Sequence, residues 1–242
     1  MKRKTLRTLF LAAVAALGFC RVAQSTLRVD LRVTSVGGPA TLTNSQSVVV
    51  AGVGAQIHVD IWAHITGTNG QLFDEGLTSL SGSLLSWQND FGNYVRGDLS
   101  ASLLPSFSAP GSSVGTQIDL DGDGGLDVGS NDDPHAGRFF AVRALSASNP
   151  VAGSEIRIGR ATFEVSQLTS SIGEAFLSFY PRYSNTAALW LEDGIVKRPG
   201  AGDGWFTWGD GVAVSAIPEP SALAILSAVA SFASALRPQR RK

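Results

Sequence analysis

The chain has 242 residues, with 19 Lys and Arg against 20 Asp and Glu and one cysteine. A single cysteine excludes an internal disulfide framework. The near-neutral total hides an asymmetry: residues 26–217 hold ten basic and nineteen acidic side chains, a net charge near −9, which disfavours nucleic acid and anionic membrane because phosphate contacts need Lys and Arg.

The chain opens with Lys2, Arg3, Lys4 and Arg7, then an apolar run from Leu9 to Phe19. Ala23 and Ser25 occupy the −3 and −1 positions of a small-residue cleavage site. These features predict a helical signal peptide over 1–25 and a mature chain starting at Thr26. The alternative is a lipoprotein signal at Cys20, against which the bulky Phe19 stands directly before the cysteine. On either reading the mature protein has no thiol nucleophile in its interior.

Residues 26–216 are rich in Gly, Ser, Val and Leu and poor in Lys and Glu, which is strand-and-turn material. The length fits one domain with a substantial core. Leu27, Val29, Leu31 and Val33 alternate with Arg28, Asp30, Arg32 and Thr34, the pattern of a half-buried strand. Val48–Val50 is a short candidate strand. Val59, Ile61, Ala63 and Ile65 then alternate with His58, Asp60, Trp62 and His64. The two histidines face one side, but six residues of strand separate their Cα atoms by about 20 Å, too far to share an ion. Leu80–Trp87 and Leu99–Leu103 continue the series.

Next comes Asp119-Leu120-Asp121-Gly122-Asp123-Gly124-Gly125-Leu126-Asp127. Asp119, Asp121, Asp123 and Asp127 occupy positions 1, 3, 5 and 9 of a calcium loop, with Gly124 at the turn position 6. Alternate carboxylates on a tight loop converge on a hard cation, so calcium is the expected cofactor, in a structural role. The pattern is similar to the EF-hand and dockerin type of loop. It departs at position 12, where Ser130 replaces the bidentate Glu, and Asp132 or Asp133 stands in only if the loop runs on. The alternative is a solvated acidic turn.

Strand candidates resume at Arg138–Ala144, Glu155–Val165, Glu174–Tyr180, Ala187–Leu191 and Trp205–Val214. In Glu155–Val165 the apolar parity switches between Ile158 and Ala161, and a bulge at Gly159 restores one buried face. Asp193-Gly194, Asp203-Gly204 and Asp210-Gly211 are turn signals. Many short strands predict an all-β fold, an antiparallel β-sandwich of jelly-roll or cohesin-like type, with a helix at each end from the targeting segments. Gly54–Ile65 and Ile156–Val165 resemble, weakly, the sandwich of cohesin-like and carbohydrate-binding modules. Trp62, Trp205 and Trp208 are candidate sugar contacts, with core or edge packing as the alternative. No His-Glu-x-x-His motif occurs. A glycoside hydrolase would need two carboxylates about 5–9.5 Å apart, which spacing along a chain does not decide.

The chain closes with Pro218-Glu219-Pro220, an apolar run from Ser221 to Leu236, and the basic residues Arg237, Arg240, Arg241 and Lys242. As a helix the run spans ~24 Å, and the basic end favours a cytoplasmic C-terminus. A plain membrane anchor or a disordered end would share part of this pattern. The three features in fixed order resemble the PEP-CTERM sorting signal, over 217–242. Pro238 and Gln239 interrupt a basic cluster that is tighter in that family. The resemblance implies export, processing by an exosortase-type enzyme that reads Pro218, Glu219 and Pro220, transient anchoring in the cell-envelope membrane, and association with exopolysaccharide. The expectation is a non-enzymatic surface or matrix protein, structural or adhesive. Its alternatives are a carbohydrate-binding module and, further off, a glycoside hydrolase.

Overall fold

The computed structural model describes residues 26–88, 93–130, 140–146, 149–169, 173–182, 187–199 and 206–217. The expected signal and tail helices, with the Pro218-Glu219-Pro220 motif, lie outside the described residues. Among the described residues no helix is long and apolar enough to cross a membrane.

Two sheets carry the body. The strands are β1 (Thr26–Gly37), β2 (Ala40–Asn44), β3 (Ser47–Val50), β4 (Gln56–Thr66), β5 (Gly76–Gln88), β6 (Val95–Leu103), β7 (Ser113–Val114), β8 (Thr116–Ile118) and β9 (Asp127–Gly129). They continue with β10 (Phe140–Arg143), β11 (Val151–Ala152), β12 (Glu155–Leu168), β13 (Glu174–Pro181), β14 (Ala188–Glu192), β15 (Ile195–Lys197), β16 (Phe206–Trp208) and β17 (Val212–Ala216). One sheet runs β16-β1-β4-β12-β6; the other runs β15-β14-β5-β13-β17-β3-β2. In the second, β5 is the spine: β13 and β14 share one of its edges, while β9, β10 and β11 attach along it as short pieces.

Alternation decides which side of each strand is buried. Leu27, Val29, Leu31 and Val33 of β1 and Val59, Ile61, Ala63 and Ile65 of β4 all lie in the core, packed with Leu77, Leu80, Phe140, Leu177, Phe179 and Trp190 of the facing sheet. Each fully buried aliphatic or aromatic side chain stabilises by about 1.5–3 kcal/mol. The register slips between Arg157 and Gly159, so β12 carries the expected bulge. Ile156, Ile158, Ala161 and Phe163 are consequently all buried despite their mixed parity. Gly159 is required there because a Cβ would collide with the Ser102 carbonyl.

Two expectations are corrected. The sandwich is not wholly antiparallel: β16 runs parallel to β1, and β17 parallel to β3. The run Trp205–Val214 is not one strand. It breaks at Gly209–Gly211, and the chain crosses from one sheet to the other there. Gly209 permits the crossing, since a Cβ on it would strike the Val29 backbone.

The chain enters and leaves the body at opposite poles. Thr26 pairs with Thr66 at one pole, and Gly37 pairs with Gln56 at the other. Ala216 pairs with Val50, Ile217 N donates to the Val50 carbonyl (2.9 Å), and Ala51 N donates to Pro39, next to Gly37. Twelve residues of β1 separate the poles by roughly 35–40 Å.

Candidate metal centre

The acidic loop joins β8 to β9, a pair of short strands docked on β5. It therefore sits between strands, at the pole where Ile217 exits. Asp119 organises its first turn: Oδ1 accepts from Gly122 N (2.7 Å) and Oδ2 from Gly124 N (3.1 Å). Gly124, at φ +86°, takes the left-handed conformation the turn position needs. Asp121 Oδ1 accepts from Asp123 N (3.2 Å). These bonds curl the loop so that alternate carboxylates converge, as the spacing predicts.

Asp119, Asp121 and Asp127 each place one oxygen within 4.8 Å of the others. Asp127 is fully buried, at 0% exposure. Its Oδ1 accepts from Ser86 N (2.8 Å) and its Oδ2 from Leu120 N (3.0 Å). Asp123 lies outside that trio. Its Oδ1 accepts from Gly125 N (2.7 Å), and its Oδ2 is buried with no hydrogen-bond partner. Burial, reinforced by the neighbouring aspartates, pushes Asp127 up to about 7. Burial and like charge raise Asp121 and Asp123 in the same direction. A carboxylate group in this condition gains from a cation that offsets its repulsion and desolvation. The donor set is all oxygen, which suits calcium.

Position 12 does not close the loop. After Asp127 the chain enters β9, and Ser130 N donates to Ser83 Oγ (3.2 Å), so Ser130 is held against β5. Asp132 and Asp133 lie outside the described residues. An ion here would thus have three or four carboxylates and water, without the bidentate Glu.

Several supporting residues escape sequence reasoning because they come from distant strands. Ser86 and Gln88 of β5 hold Asp127 and the Asp123 carbonyl. Asp98 of β6 accepts from Leu126 N (3.1 Å). Arg96 lies against Gly124 while its Nη1 donates to Gln167 (3.0 Å), placing a permanent cation beside the loop. Only strand register brings these residues to the loop, and spacing along the chain carries no signal for it.

The other candidates separate. His58 Nδ1 meets Thr162 Oγ1 (3.0 Å), while His64 Nε2 lies 2.6 Å from Arg32, 2.9 Å from Asp30 and 3.4 Å from Glu155. The two histidines belong to different networks. Trp62 carries the Arg32 guanidinium over its ring, 5.2 Å from the centroid. Trp205 lies outside the described residues, and only the backbone of Trp208 is described. The exposed aromatics among the described residues are Trp87 and Phe176, an edge-on pair 6.0 Å apart on the outer face of β5 and β13, Tyr180 further along β13, and Phe73 in the segment before β5.

No family model matches the sequence, and no curated protein matches it. Among solved structures, the chain is similar to the seventh ScaB type I cohesin from Pseudobacteroides cellulosolvens, at 14% identity and a TM-score of 0.38, over 79% of this chain and 93% of that one.

Proposed function

We propose that this chain is a non-enzymatic, exported surface or matrix protein whose acidic sandwich is stiffened by calcium in the Asp119–Asp127 loop. Its work is structural or adhesive, in association with exopolysaccharide. The observation that carries the reading is the convergence of Asp119, Asp121 and Asp127 with Asp127 fully buried. Such a site, lacking its bidentate ligand, belongs to the weak class with Kd ~10⁻⁴–10⁻³ M, which fills outside cells and stays empty at cytosolic calcium. The terminal segments agree with that destination. A signal peptide over 1–25 delivers the chain, and a PEP-CTERM-type tail over 217–242 holds it in the membrane until an exosortase-type enzyme acts at Pro218-Glu219-Pro220. The body carries a net charge near −9, which fits calcium and neutral polysaccharide rather than nucleic acid.

Cell fractionation with mass spectrometry of both mature termini tests this reading, in cells with and without the sorting enzyme. The expected product begins at Thr26, lies in the envelope or outside the cell, and retains its tail only when the enzyme is absent. An uncut 242-residue chain in the cytosol would refute it. A second reading, carbohydrate binding, draws on the exposed Trp87 and Phe176 pair. A glycan array separates the two: binding that is lost in Trp87→Ala favours the module, and binding to no glycan leaves the matrix role.

A further inference from the structure

The pole opposite the acidic loop carries a second group of carboxylates, contributed by segments more than a hundred residues apart. Asp74 and Glu75 lead into β5, and Asp193 sits in the β14–β15 turn. One oxygen from each of the three lies within 4.8 Å of the others. Asp193 is the crosslink between segments. Its oxygens accept from Thr68 N (3.0 Å) and Asn69 N (3.1 Å), just past the end of β4. Asn69 Nδ2 in turn donates to Asp74 Oδ2 (2.7 Å).

Glu75 is what marks this group as more than an acidic surface. It is only 2% exposed, and its Oε2 is buried with no hydrogen-bond partner. Its Oε1 and Asp193 Oδ1 both crowd the α-carbon of Gly67, where any Cβ would collide with them. The carboxyl is therefore turned into the group and away from solvent. Asp74 Oδ1 is likewise buried and unpartnered. One position beyond the Leu191–Gly76 pair lies Glu192, next to Glu75 along the ladder, 3% exposed and with its own Oε2 unpartnered. Among the described residues no Lys or Arg forms an ion pair with Asp74, Glu75, Glu192 or Asp193. Leaving buried carboxylate oxygens unpaired is costly, and protonation, pairing or a bound metal relieves it.

We infer that Asp74, Glu75 and Asp193 form a second binding site for a hard divalent cation, of the calcium class, which pins the β14–β15 turn to the segment between β4 and β5. The donors are all oxygens, three carboxylates supply half or less of a calcium shell, and water completes it. Gly67 keeps the approach open. This site is independent of the Asp119–Asp127 loop, which lies at the other pole.

The test uses the full chain in detergent, titrated with calcium chloride, with magnesium chloride as comparison. Bound metal is counted by equilibrium dialysis, and melting is followed in EDTA and in millimolar calcium. Glu75→Gln is expected to lower the bound calcium by about one ion per chain and to melt higher than the wild type in EDTA, because it removes one of the repelling charges. Its melting temperature should rise less on adding calcium. Asp193→Asn reports the same loss at a position in the surface turn, and serves if Glu75→Gln does not fold. Asp121→Asn should leave this ion in place, so a failure of the loop site leaves the Glu75 result intact. The inference is overturned if Glu75→Gln and Asp193→Asn bind as many ions as the wild type. It is equally overturned if Glu75→Gln melts lower by the same amount in EDTA and in calcium, which would make Glu75 a purely structural side chain.

Discussion

Asp121→Asn isolates the loop site, because Asp121 is exposed and the bond its Oδ1 accepts from Asp123 N, at 3.2 Å, survives in an amide. Removing it takes away one of three convergent carboxylates while Asp127, the buried anchor to Ser86 and Leu120, stays in place. With a Kd of ~10⁻⁴–10⁻³ M, calcium at about 10 mM stabilises a single site by roughly 1.4–2.7 kcal/mol. For a body of this size each kcal/mol moves Tm by about 2–4 °C, so the loop ion raises Tm by roughly 3–11 °C. Thermal unfolding followed by circular dichroism, in EDTA and in calcium, reads the difference. The variant should melt at or slightly above the wild type in EDTA, because the amide relieves repulsion from Asp119 and Asp123, and should lose several degrees of the rise in calcium. An equal rise in both proteins would refute the reasoning, and would mean that the converging aspartates are only a solvated turn.

Phe163→Ala should cost about 3–5 kcal/mol in urea unfolding, since the ring is fully buried and lies over Gly97, where no side chain can fill the gap without backbone movement. Asp30→Asn should cost about 1–3 kcal/mol by the same assay, because it strips a 1% exposed carboxylate from Arg28 (2.8 Å) and Arg32 (3.7 Å) and leaves the two guanidiniums without their shared counter-charge. Burial holds the His64 imidazole below its ordinary value, with Arg32 acting the same way against Asp30 and Glu155. The unfolded chain therefore binds the proton more readily. The contribution of His64 is complete above pH 6.5 and is lost as pH falls from there through the lowered folded value. Asp127, raised to about 7, pushes the other way over the same window in both proteins, so the check is a difference. On going from about pH 7.5 to 5.5 the urea midpoint should fall less, or rise more, in His64→Gln than in the wild type, and an identical change in both would refute the assignment.

The strands with one wet and one dry face were legible, because alternation records that difference residue by residue. β1, β4 and β12 appear nearly at their expected bounds, and the bulge at Gly159 follows from the parity switch alone. β2 and β8 were not legible: both are almost wholly exposed, so nothing in their apolar pattern separates them from loop. The Trp205–Val214 run misleads because the chain changes sheets at Gly209 while the alternation continues on both sides. Asp30 and Asp60 sit on the polar parity, yet they are nearly unexposed, roofed by Arg28, Arg157, Arg160 and His64. Long side chains laid over a sheet make an outer face partly dry, and no period of two reveals it. The loop aspartates were readable because they are local. Asp74, Glu75 and Asp193 were not, since only the pairing of β14 with β5 brings them together.

The parallel pairings of β1 with β16 and of β3 with β17 have a mechanical meaning. A load applied between residues 26 and 217 acts along the strands, from one extremity of the two-sheet body to the other. It must shear those ladders, breaking their bonds together, instead of peeling them open one at a time. A molecule fixed by its final residue and tugged from its first thus meets the stress with its stiffest direction.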